Sequence, residues 1–93
     1  MRLPMTPEGR RARIQLYKAI NEALKERGIT QTEAAEVLGI RQAKISAIKM
    51  MRLDEFATDR LITFLNTLGF DVDIVVRKKP GEKKSGHLTV TRR

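Results

Sequence analysis

The stretch from Thr30 to Ile48, TQTEAAEVLGIRQAKISAI, constrains the fold more than any other part of the chain. Apolar residues recur at three- and four-residue intervals on both sides of Gly39: Ala34, Ala35 and Leu38 before it, Ile45 and Ile48 after it. That spacing is typical of one buried helix face. Glycine takes a positive φ at no steric cost, so the stretch predicts two short helices joined by a tight turn.

The start of the first short helix is marked by Thr30 and Glu33, which have the spacing of a capping box. With Thr30 as the N-cap, the backbone N–H groups of Gln31 and Thr32 lie at the positive end of the helix dipole. A phosphate group is a suitable ligand there. Gln31 and Thr32 are therefore candidate phosphate contacts.

Two short helices around a glycine turn form the motif that places its second helix in the DNA major groove. The non-core positions of that helix and its turn are candidate base contacts: Arg41, Gln42, Ala43, Lys44, Ser46 and Ala47. Glutamine can read adenine, lysine can reach guanine, and alanine can touch a thymine methyl. Lys49 and Arg52 are candidate phosphate contacts. The alternative for the polar residues is that they only solvate an exposed face. The alternative for Ala43 and Ala47 is that they are small so that the helix can approach closely.

Charge supports a nucleic-acid partner. The formal net charge is +8, and no acidic residue lies between Glu36 and Asp54, so the second helix is locally basic. A further basic loop contains four lysines: Lys78, Lys79, Lys83 and Lys84. These lysines either contact phosphates without sequence preference or form a solvated tip.

The segment ITQTEAAEVLGIRQAKISAIKM resembles the Cro-like helix-turn-helix family, of the XRE type. Arg41 stands where relatives often have Ser or Thr as the N-cap of the second helix. The later segment LITFLNTLGFDVDIVVRKKP is similar to the branch that contains HigA-type antitoxins of toxin–antitoxin modules. A Cro-like DNA-binding domain implies a sequence-specific transcription repressor. Because one such motif reads only a few base pairs, we expect a two-fold dimer on a palindromic double-stranded operator. The resemblance of this later segment implies an antitoxin that binds its toxin protein and represses their shared promoter.

Two alternatives stay open beside the antitoxin. One is a solitary XRE-type regulator that has no toxin. The other is a protein-interaction module that has kept the fold without DNA binding, although the basic, acid-free second helix argues against it.

The whole chain predicts one mainly α domain over residues 1–93. A bundle of four helices spans 6–69, and a C-terminal β-hairpin with a basic tail spans 70–93. Helices are expected at about 7–27, 31–38, 42–50 and 59–68, with Thr6 and Thr58 as caps of the first and last. For Arg10, Arg11 and Arg13, a solvated first turn is favoured over phosphate contact.

From Asp71 the apolar period changes to two, which predicts a half-buried strand over Asp71–Arg77 and a second over His87–Thr91. An isolated hairpin is marginal in water. It must therefore pack on the helices or pair with a second copy of the chain. Val72, Ile74 and Val76, on one face of the first strand, are the predicted dimer contacts, and the fourth helix is expected to add apolar area to the same interface.

Other classes of protein have little support. The chain has no cysteine and one histidine, so no metal site is expected, and the composition suits a reducing cytoplasm. No apolar run approaches the roughly 20 residues of a membrane-spanning helix. Neither a catalytic carboxylate pair nor a glycine-rich phosphate loop is present, so we predict no enzyme activity and no cofactor.

Overall fold

The computed structural model describes residues 7–77 and 87–92 and shows four helices followed by a two-stranded sheet. The helices are α1 (Pro7–Arg27), α2 (Gln31–Leu38), α3 (Gln42–Lys49) and α4 (Thr58–Thr67), and the strands are β1 (Val72–Arg77) and β2 (His87–Arg92). The predicted mainly helical fold with a C-terminal hairpin is confirmed. The predicted Thr6 cap and the four lysines of the basic loop lie outside the described residues.

One aliphatic core holds the elements together, and α1 runs through it. Leu16, Tyr17 and Ile20 of α1 are completely buried. Against them pack residues of the other helices and of the loop before α4, chiefly Ala34, Ala35, Ile45, Ile48, Phe56, Leu61, Phe64 and Leu65. The rings of Phe56 and Phe64 meet edge to face with their centroids 5.2 Å apart. Most of these core residues lie on the helix faces that the apolar spacing predicts to be buried.

The turn between α2 and α3 has the predicted geometry. The hydroxyl of Thr30 accepts a hydrogen bond from the Glu33 N–H at 3.1 Å, and the Glu33 carboxylate accepts one from the Thr30 N–H at 2.9 Å. Gly39 ends α2 in the left-handed region with φ 67°. The N–H of Ile40 then donates to the carbonyl oxygen of Ala35 at 3.0 Å, so α3 starts at a fixed angle to α2.

Two helix starts carry no side-chain cap. Arg41 is the N-cap of α3 and makes no capping hydrogen bond with its side chain. The prediction that Thr58 caps α4 is wrong by one position, because Ala57 is the N-cap and Thr58 is already helical and completely buried. Tertiary packing, rather than a local cap, therefore fixes the start of α4.

The environment of Arg13 also differs from the prediction. It is neither solvated nor available to phosphates, because its side chain is only 4% exposed. Its guanidinium Nη1 donates to the carbonyl oxygens of Leu53 at 2.8 Å and Phe56 at 2.7 Å. Arg10 and Arg11, in the same turn of α1, are exposed as predicted.

The hairpin packs on α1 through β2. Val72 and Val90 lie against the core, and the Val90 N–H donates to the side-chain oxygen of Gln15 at 3.3 Å. That N–H therefore points away from β1. Val90 is paired with Ile74, and in an antiparallel ladder both members of such a pair direct their N–H and C=O groups outward. The backbone groups of Ile74 thus face the open edge of β1.

Candidate nucleic-acid interface

Five of the six candidate base contacts have accessible surface along α3. Arg41, Gln42 and Ala43 are exposed, and Lys44 and Ser46 are half-buried. Ala47 differs, because it is only 5% exposed and belongs to the buried residues of α3. Ile45 and Ile48 are completely buried beneath the helix. The helix therefore anchors one face in the core and presents the opposite face outward.

Lys44 is held by two residues of the loop that precedes α4. Its ammonium forms an ion pair and hydrogen bond with the carboxylate of Glu55. The same ammonium lies 5.9 Å from the centroid of the Phe56 ring, within the range of a cation–π contact. The Lys44 and Glu55 side chains remain 45% and 30% exposed, so the pair lies at the surface that α3 presents.

A third basic side chain lies on this side of α3. Arg60, in the first turn of α4, lines a pocket of about 360 Å³ together with Arg41 and Lys44. Neither Arg60 nor Glu55 was a sequence-based candidate. Both are more than ten positions from the residues they approach, so no local spacing rule links them to α3.

The N-terminus of α2 and the C-terminal end of α3 border one cleft. Its volume is about 410 Å³, and Thr30, Gln31 and Lys49 are among its lining residues. Thr32 is exposed beside it. The residues that line the cleft therefore include a glutamine and a lysine beside the positive end of a helix dipole, a combination that suits an anion such as phosphate.

Three polar side chains of α1, spaced four positions apart, hold the last turn of α3 and the segment that follows it. Asn21 Nδ2 donates to the carbonyl oxygen of Ile48 at 3.0 Å, the Tyr17 hydroxyl donates to that of Arg52, and Arg13 donates further along the loop. The Arg52 side chain itself stays exposed. Burial raises the pKa of the Tyr17 hydroxyl above its ordinary value of 10.0. This polar row fixes the loop relative to the core.

The predicted dimer residues lie on β1. Val72 and Ile74 are half-buried, and the side chain of Val76 lies outside the described part of the structure. Among the residues that the structure describes, no group of three or more His, Cys, Asp or Glu side chains is placed to hold a metal ion. None of the described helices is long and apolar enough to cross a membrane.

Comparison with known proteins agrees with this geometry. A family model described as a helix-turn-helix domain matches residues 5–77. A solved structure whose name places it in the XRE family of transcriptional regulators is 38% identical to this chain, with a TM-score of 0.79. That similarity covers 90% of this chain and 94% of the other. No curated protein matches the chain significantly.

Proposed function

Because this chain belongs to the helix-turn-helix family and to its XRE type, we propose that it is a sequence-specific repressor that inserts α3 into the DNA major groove. The observation that carries the proposal is the division of α3 into two faces. Ile45 and Ile48 are completely buried, whereas Arg41 and Gln42 are exposed. A helix anchored in this way can present polar side chains to base edges without losing its packing.

Base contacts are assigned to the N-cap Arg41 and to the outward residues of α3, which are Gln42, Ala43, Lys44 and Ser46. Ala47 is left out, because a side chain that is 5% exposed offers almost no surface to a thymine methyl. Gln31, Thr32 and Lys49 are assigned to one phosphate at the cleft beside α2. Arg52, exposed after α3, is assigned to the phosphate backbone as well.

A second copy of the chain is assigned to the open edge of β1. One helix-turn-helix reads only a few base pairs, whereas a two-fold dimer places two recognition helices about 34–36 Å apart in successive major grooves. The outward backbone groups of Ile74 provide donors and acceptors for antiparallel pairing with a second β1. Val72, Ile74 and Val76 would then share one two-fold interface.

The first experiment is selection of bound duplexes from random DNA by the full chain, followed by gel-shift titration of the recovered sequence. We expect a palindrome whose half-sites are about 10 base pairs apart, or a multiple of that. We also expect binding at least about 10³-fold tighter than to random duplex. Enrichment of no sequence, or equal binding of selected and random duplexes, would overturn the proposed function.

The antitoxin role is a finer proposal and rests on the resemblance of residues 61–80 alone. It requires a toxin protein encoded beside this chain. Co-expression of the adjacent reading frames and purification through a tag on this chain should recover a stable complex that still binds the operator. Operator binding by the chain with no partner recovered would favour the solitary regulator.

A protein-interaction module without DNA binding is the competing class. The exposed basic residues of α3 and the cleft at Lys49 argue against it, because an adaptor has no need of a surface that suits phosphate. The selection experiment separates the two classes, since an adaptor would enrich no DNA sequence.

A further inference from the structure

We propose that Glu55 is a specificity-determining residue that acts through Lys44. It holds the lysine ammonium at the outward face of α3 and so prevents it from contacting neighbouring phosphates. This inference rests on the proposed function, since it concerns how the DNA-reading surface discriminates among sequences. Glu55 itself is a positioning residue.

The contact between the two side chains is direct. The Glu55 carboxylate accepts a hydrogen bond from the Lys44 ammonium, across 11 positions of sequence. The Phe56 ring lies 5.9 Å from the same ammonium. Lysine is a flexible point charge with three donors and a four-carbon stem. A carboxylate and a ring face together restrict that stem and still leave donors free for a base edge.

The backbone that carries Glu55 is itself held in place by hydrogen bonds of the loop. The Glu55 N–H donates to the carbonyl oxygen of Arg52 at 3.1 Å, which closes a turn. The flanking carbonyl groups of Leu53 and Phe56 accept hydrogen bonds from the buried guanidinium of Arg13. Glu55 therefore extends from a loop that is fixed to α1, and Lys44 is held against a rigid support rather than a mobile one.

A fixed acid at this position should favour sequence reading over general attraction. Phosphates are present at every base step, so a free lysine gains affinity for any duplex. A carboxylate beside the ammonium offsets that gain and repels nearby phosphates. A guanine edge offers acceptors in one defined direction, and only an ammonium with a defined position exploits it. The pair thus lowers the affinity for random duplex and raises the discrimination among base sequences.

The test compares two variants with the same change of charge in the same loop. Glu55→Gln removes the partner of Lys44, whereas Asp54→Asn removes a neighbouring exposed acid. Binding to the selected operator and to random duplex is titrated at several salt concentrations. For Glu55→Gln we expect tighter binding to random duplex, a salt slope steeper by up to about 0.9, and a ratio of operator to random affinity reduced at least about fivefold. Asp54→Asn should leave the ratio within about twofold of the wild type.

A second measurement asks whether Glu55 acts through Lys44. On a panel of operators with single base-pair changes, Glu55→Gln and Lys44→Ala should lose discrimination at the same base pair. In the Lys44→Ala background, Glu55→Gln should change the affinity ratio no more than Asp54→Asn does. Urea unfolding of each variant shows that the fold is retained.

Three results would overturn the inference. The ratio of operator to random-duplex affinity could be unchanged in Glu55→Gln, or it could fall equally in Asp54→Asn. Alternatively, Glu55→Gln could lower that ratio as much in the Lys44→Ala background as in the wild type. In each case the wild type still prefers its operator, so the proposed function stands. If the wild type itself shows no preference among sequences, the proposed function fails, and this inference fails with it.

Discussion

Arg13 Nη1 lies 2.7 Å from the carbonyl oxygen of Phe56, although the two residues are 43 positions apart in sequence. The contact ties the beginning of α1 to the loop that follows α3. Tyr17 and Asn21 extend it along the same face of α1, toward Arg52 and Ile48. The position of the proposed DNA-reading surface therefore depends on polar side chains that lie in a different helix.

Replacement of Arg13 by alanine should destabilise the fold by about 2–4 kcal/mol. The loss leaves two carbonyl groups without a charged donor, in a region where little water can replace it. Urea unfolding at neutral pH measures the change. Arg11→Ala, at an exposed position in the same turn, is the matched control and should cost no more than about 0.5 kcal/mol. Equal effects of the two substitutions would show that the buried contact adds nothing.

The free energy of unfolding should fall with rising pH above 10 in a way that depends on Tyr17. Burial raises the pKa of the Tyr17 hydroxyl above 10.0 in the folded state. Below that pH, both states hold the proton and the contribution is complete. Above it, the unfolded chain loses the proton while the folded one keeps it, so unfolding is favoured.

Tyr17→Phe isolates this effect from the titration of other groups. The variant should be about 1 kcal/mol less stable than the wild type between pH 7 and 9, because it lacks the hydrogen bond to Arg52. The difference should shrink above pH 10, as the wild type alone becomes less stable. Urea titrations from pH 7 to 11 measure it, and a constant difference across that range would contradict the prediction.

Gln42→Ala should weaken binding to the operator by about 1–3 kcal/mol and relax discrimination at one base pair. Gln42 is exposed in the first turn of α3, on the surface proposed to enter the groove. Gel-shift titration against the operator and its single-base variants measures both effects. The control is random duplex, on which the variant should bind as the wild type does. An equal loss on both duplexes would place Gln42 at a phosphate.

Ile74→Pro should convert the proposed dimer into a monomer while the hairpin stays intact. The N–H of Ile74 points to the open edge of β1, so its removal costs no hydrogen bond to β2. Ile74→Ala keeps that N–H and should weaken the dimer less. Analytical ultracentrifugation of the full chain ranks the wild type, Ile74→Ala and Ile74→Pro by how strongly each dimerises. A proline variant that sediments as a dimer would move the interface away from β1.

Neutralising Lys78, Lys79, Lys83 and Lys84 together should affect DNA binding only through salt dependence. This prediction comes from sequence, because these residues lie outside the described structure. If the lysines contact phosphates, each lost contact should flatten the slope of log affinity against log salt by up to about 0.9. The operator preference should stay the same. An unchanged slope would indicate a solvated loop.

Local patterns are enough to predict α2 and the turn at Gly39, but they do not fix the exact start of α3, because Arg41 is a poor N-cap. A capping box, a glycine with positive φ and apolar residues three and four apart are properties of neighbouring residues, so the chain specifies them within a few positions. The bounds of α2 match the prediction to the residue. The alternation after Asp71 predicts strand β1 equally well, because a period of two is also a property of neighbouring residues.

What only the tertiary structure decided is where charged and polar side chains find partners. Arg13 looked like a solvated basic residue of a first turn, and Lys44 like a free reader of bases. Packing instead buried the first against the loop carbonyls and paired the second with Glu55. Hydrophobic periodicity specifies which face of a helix turns inward. The partner of a long charged side chain depends on a separate segment brought close by the fold, and no spacing along the chain encodes that distance.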